Sequence, residues 1–149
     1  MGPGFRGSWA LALLGLSLAS CGGDTKPPAA CTQGSDAVRA ALKAAPGAVS
    51  VDGTKISTCV ARSSDAGELQ AVGGGLVDAA GQLSDSARRH PGGAAELELG
   101  YLVGAARRGG GHARQERSEL LRRLEQEGDG LPGDRSAYRR GLRAGQRSG

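Results

Sequence analysis

The sequence predicts a mainly α-helical fold: a small bundle of about four helices, with one short β-hairpin near the start of its folded part. Three observations carry that expectation. Apolar residues recur at spacings of three and four in several stretches between residues 35 and 142. Alanine supplies 21 of the 129 residues after position 20, and it is the best helix former. The alternating stretch 49–60 is interrupted by Asp52-Gly53, a strong short-range hairpin signal.

Composition bounds the rest. A chain of 149 residues is one domain at most. No apolar run approaches the roughly 18–20 residues of a membrane-spanning helix. The 27 glycines have no period of three, which excludes a collagen-like chain. Leu, Val and Ile supply only 20 of the 129 residues after position 20, so alanine must fill a thin core.

Taken in order, residues 1–20 read as an export signal and stand apart from the fold. Arg6 is the basic n-region, and Trp9 to Ala19 (WALALLGLSLA) is an eleven-residue apolar h-region. Leu18, Ala19 and Ser20 then lead into Cys21. This segment resembles the signals of bacterial lipoproteins, whose lipobox runs Leu-Ala-(Gly/Ala/Ser)-Cys. The resemblance covers residues 1–21 and implies a specific chemistry. Signal peptidase II would cut between Ser20 and Cys21, and a diacylglyceryl group would be carried on the Cys21 sulfur. Two or three acyl chains hold a protein on a membrane where one holds only marginally. Residues 21–30, the lipidated cysteine followed by GGDTKPPAA, read as a flexible tether. Residues 31–145 form the expected single domain, and 146–149 a disordered tail.

With Cys21 acylated, Cys31 and Cys59 remain, and an exported chain favours pairing them in a disulfide. Chain entropy values such a loop at about 3.5 kcal/mol. Between them, Ser35 and Asp36 mark a helix start, and Val38, Ala41, Leu42 and Ala45 follow at helical spacing to Pro46-Gly47. The hairpin comes next, pairing Val51 with Thr54 and Val49 with Ile56 across Asp52-Gly53.

Residues 61–67 read as a polar linker. From Glu68, the positions Leu69, Val72, Leu76, Ala79, Ala80, Leu83 and Ala87 make an amphipathic helix that ends at Pro91-Gly92. Gly73-Gly74-Gly75 interrupts it. No strand precedes the triplet and no Lys-Ser/Thr follows, so it is not a phosphate loop and reads as a close helix contact. A second helix begins near Ala94, with Leu97, Tyr101, Leu102 and Ala105 on its apolar side. Its Gly100-x-x-x-Gly104 spacing reads as a small-residue contact inside the bundle. A third helix spans roughly 113–127, striped by Leu120, Leu121 and Leu124 and supported by Glu119 and Arg123 at i,i+4. Asp134 caps a short last helix that carries Tyr138 and Leu142.

Chemistry is sparse. His90 and His112 sit in helix-end or turn settings, and no nucleophile–base pairing or metal-ligand spacing is legible. Glu96 and Glu98, two apart, diverge on a helix. The expectation is a non-enzyme with no metal and no cofactor beyond the acyl groups on Cys21. Charge is uneven, with 11 arginines against 6 acidic residues in 107–149. Arg139, Arg140 and Arg143 are candidate contacts to an acidic surface, anionic lipid or a wall polymer. An envelope protein is another expected partner, and nucleic acid is not, because the chain is exported. The expected role is a lipid-anchored binding or interaction module on the outer face of the cell membrane (or the outer membrane, where there is one). The alternatives are a structural envelope lipoprotein without a discrete ligand and an enzyme accessory protein.

Overall fold

The structure, a computed structural model, describes Met1, residues 26–111 and residues 115–149, with only the backbone of Glu116. The expectations for the signal, Cys21 and His112 lie outside the described residues. Six α-helices follow a 3₁₀ turn at Ala29–Thr32: α1 Ser35–Leu42, α2 Ile56–Arg62, α3 Ala66–Arg89, α4 Ala94–Gly110, α5 Gln115–Asp129 and α6 Ser136–Ser148. Among the described residues the fold is mainly helical, as expected, but with six helices rather than about four.

The predicted hairpin is absent from the described residues. Its turn forms: Asp52 and Gly53 both take positive φ, and Val51 and Thr54 exchange backbone hydrogen bonds at 2.9 and 2.8 Å. The pairing stops there, and the second arm winds into α2. Ile56, Cys59 and Val60 satisfy helical spacing as well as the β-branched composition of a strand. As a helix, they and Ser57 bury one continuous face, much of it against α4. A lone two-stranded ribbon has no comparable way to cover itself.

Helix α3 starts two residues earlier than the periodicity suggested. Its cap explains the start: the Asp65 carboxylate accepts from the Glu68 N–H at 2.9 Å. Glu68 in turn accepts from the Ser64 N–H and hydroxyl, both at 2.8 Å, in the manner of a capping box. The helix runs unbroken through the glycine triplet. Gly73 lies under the Leu120 side chain, and Gly75 lies against the Gly34 backbone, so close contact accounts for two of the three. Helices α4 and α5 are separate elements; α4 is followed by Gly111 at φ +48°.

Helix α4 is the centre of the bundle and touches all five of the others. Residues Glu98 to Ala106 are buried without interruption. A helix covered on every side needs small residues where its neighbours come closest. The closest neighbour is α6, which runs parallel to α4. Leu97 lies opposite Gly141, Tyr101 opposite Gly145 and Ala105 opposite Gly149. The Gly100-x-x-x-Gly104 contact is therefore real, and its partner is Gly141-x-x-x-Gly145-x-x-x-Gly149. A Cβ at Gly100 would stand 2.1 Å from the Tyr138 carbonyl oxygen, and one at Gly145 2.1 Å from that of Tyr101. Helix α6 continues through residues 146–148, and Gly149 is buried with its carbonyl accepting from the Ser57 hydroxyl at 2.6 Å. Composition predicts a disordered tail over 146–149, but the structure continues α6 to Ser148, and glycine at 145 and 149 is what lets the helix lie on α4.

Candidate functional site

Parallel α4 and α6 bring two helix N-termini to one end of the bundle, where their partial positive charges and unpaired N–H groups converge. Glu96, only 2% exposed, answers both. One carboxylate oxygen accepts from the Gly92 N–H at 2.6 Å, before α4, and the other from the Tyr138 N–H at 3.2 Å, in the first turn of α6. Glu98 leaves α4 in another direction and, also buried, pairs with exposed Lys43 at 3.7 Å. The two carboxylates diverge as their spacing required, but both are inside the protein and neither faces the other.

The disulfide forms as expected. Cys31, in the 3₁₀ turn, is joined to Cys59 of α2, with Cα atoms 5.4 Å apart. It fastens the start of the folded part to the bundle, which the 3₁₀ turn otherwise touches mainly through α3.

Between α3 and α5 lies an open groove of about 790 Å³. This volume falls within the range of roughly 300–1,000 Å³ typical of ligand sites. Leu69, Val77 and Leu120 line it, Gly73 lies under Leu120, and exposed Gly74 leaves part of the α3 backbone bare. Asp78, Glu119 and Arg123 add charge. Arg122 and Arg123 both donate to Glu119 at 2.7–2.8 Å and hold its carboxyl down at about 2, so it is ionised at any physiological pH. An apolar floor with fixed charges suits binding. No described side chain in the groove forms a nucleophile–base pair. The groove was not legible in the sequence because its two walls, 66–78 and 115–123, are far apart in the chain.

The third feature is the outer face of α6. Arg139, Arg140 and Arg143 are all exposed there, and Arg147, one turn beyond, joins them. No described carboxylate pairs with any of the four, and Arg140 has only a 3.5 Å contact to the Ser136 hydroxyl. Asp134 is occupied at the start of the helix, accepting from the Ser136 N–H at 2.9 Å. That bond, together with the Ser136 hydroxyl and nearby Arg139 and Arg140, holds its carboxyl below the usual range. At the end of α3, Arg88 pairs with Asp85 at 3.2 Å and His90 is exposed, a structural helix end.

Among the described residues, no helix is long and apolar enough to cross a membrane, and no group of three His, Cys, Asp or Glu could hold a metal ion. Comparison with protein-family models, curated proteins and solved structures gives no match to this chain.

Proposed function

We propose that the protein is a lipid-anchored bacterial lipoprotein, exported and held at the outer face of a cell membrane, where its helical domain acts as a non-catalytic binding module. The observation that carries this reading is Leu18-Ala19-Ser20-Cys21 directly after the apolar run 9–19. The Cys31–Cys59 disulfide supports it, because such bonds persist in extracytoplasmic compartments. The α3–α5 groove favours a binding role over a purely structural one, since it leaves a shaped, partly apolar surface uncovered. An envelope protein or an anionic surface is the partner class.

The test is the Cys21→Ala variant of the full chain, expressed in a bacterium with the lipoprotein-processing pathway. The wild type should fractionate with membranes and yield an amino-terminal Cys21 peptide carrying acyl mass. The variant should lose the acyl mass and remain as uncut precursor. A wild-type amino terminus without acyl mass would overturn the reading.

A further inference from the structure

The α6 arginines differ from most other described arginines in forming no ion pair with a described carboxylate and bracing no backbone carbonyl. Arg122 and Arg123 clamp Glu119, Arg107 pairs with Glu125 at 2.8 Å, and Arg117 donates to the Ala61 and Ser63 carbonyls. Arg108 braces the last turn of α6 through the Gln146 and Arg147 carbonyls at 3.0 and 2.9 Å. By contrast, Arg139, Arg140, Arg143 and Arg147 fall within about 100° of the helix circumference at 3.6 residues per turn. The helix has no acidic residue of its own. The opposite side of α6 is locked on α4 by glycine, so the stripe is presented on a rigid support.

Its position relative to the tether adds a second observation. Cys31, where the tether meets the fold, is bonded to Cys59 of α2. Two residues earlier on α2, the Ser57 hydroxyl holds the Gly149 carbonyl at the end of α6. The last turn of α6, which carries Arg147, and the root of the tether are therefore fastened to the same short helix. Nine residues lie between Cys21 and Cys31, so the ten steps reach at most about 36 Å.

We infer that the α6 stripe Arg139, Arg140, Arg143 and Arg147 seats on the anionic phospholipid headgroups of the membrane that holds Cys21. The inference rests on the lipid-anchor reading and adds to it a defined orientation of the domain. Guanidinium groups suit this partner because their forked donors match phosphate oxygens.

The full acylated protein, reconstituted in vesicles, tests it through arginine modification by phenylglyoxal, read by peptide mass. One vesicle set is pure phosphatidylcholine and the other includes phosphatidylglycerol. At low salt the four α6 arginines should react ~5-fold more slowly on the anionic vesicles, and near 1 M salt, where screening shrinks to about 3 Å, the difference should vanish. Exposed Arg62 and Arg89, which lie on α2 and α3, are the internal controls and should be unaffected. The triple variant Arg139→Gln, Arg143→Gln, Arg147→Gln should abolish the slower reaction at Arg140. Equal rates on both vesicles overturn the inference, as does equal protection of Arg62 and Arg89. Protection by a soluble glycerol-phosphate polymer but not by vesicles also overturns it. Absence of acyl mass on the Cys21 peptide overturns the anchor and the inference together. Acyl mass without α6 protection overturns the inference alone.

Discussion

Two helix pairs in this protein use glycine for opposite ends. Along α4 and α6 the glycines are occupied space: their absent side chains are where the partner helix's carbonyl oxygens lie. Along α3, facing α5, Gly74 has no atom within 4 Å of its missing Cβ, and Gly73 meets only the end of the Leu120 side chain. The first pair gains many close van der Waals contacts and weak Cα–H···O contacts in place of side-chain packing. The second pair leaves a groove. A residue type that composition treats as one excess therefore does two jobs, and the same substitution should separate them.

The largest effect is expected where backbone meets backbone. Gly100→Ala and Gly145→Ala each place a methyl about 2.1 Å from a carbonyl oxygen. Helix propensity gains about 1 kcal/mol per site. Overpacking against an immovable backbone costs about 3 kcal/mol or more. Urea unfolding should show a clear loss for each single variant and no cooperative transition for the double. Wild-type midpoints would break the comparison at its root.

Next comes the carboxylate at the shared end of the same pair. Glu96→Ala removes two hydrogen bonds and leaves the Gly92 and Tyr138 N–H groups without a partner. Bonds to charged acceptors contribute roughly 1.5–3 kcal/mol each, so a total loss of about 3 kcal/mol is expected. Hydrogen exchange should rise first at the start of α6, because Tyr138 depends on a residue of another helix. Uniform loss of protection across the bundle would show that Glu96 does not specifically join these two termini.

How much of this was legible follows the range of the interaction. The amphipathic register of α3 was readable because Leu69 to Ala87 repeats the period of one helix. The Asp52-Gly53 turn was readable because its backbone requirement is local. The arm after it was not, because Ile56, Cys59 and Val60 suit a strand or a helix, and packing on α4 made the choice. The Gly100 and Gly104 contact is visible as a motif, and its partner on α6 repeats the same spacing at Gly141, Gly145 and Gly149. Matching the two runs would have found the pair. Burial of Glu96 and Glu98 had no sequence signal, since both look like solvent-facing carboxylates until α6 and Lys43 are placed. The candidate arginines were found by composition. Their shared arc with Arg147 needed the true extent of α6.

On the other helix pair the expected sign reverses. Gly74→Ala adds a methyl into open space on an exposed face of α3. Stability should rise by about 1 kcal/mol from helix propensity and the narrower unfolded ensemble. Thermal or urea midpoints check this directly beside Gly100→Ala. A loss at Gly74 would mean that the groove is narrower than its geometry shows.

The smallest effect lies at the groove's rim and depends on pH. Glu119 is held at about 2 by hydrogen bonds from Arg122 and then Arg123, against 4.5 for an ordinary Glu. A depressed carboxylate stabilises the fold fully above its unfolded value and loses that contribution as pH falls from about 4.5 towards 2. Its exposure to solvent keeps the contribution small and open to screening by salt. Glu119→Gln should therefore flatten the fall in urea midpoint over that window relative to the wild type, with near 1 M salt erasing the difference. Nothing of the kind is expected from the glycine stretch of the α4–α6 contact, where backbone meets backbone between the Glu96 end and the last turn of α6, and which should respond to bulk rather than to pH. If Gly100→Ala instead changed the acid limb and Glu119→Gln did not, the division between a backbone-built pair and a side-chain-built one would fail.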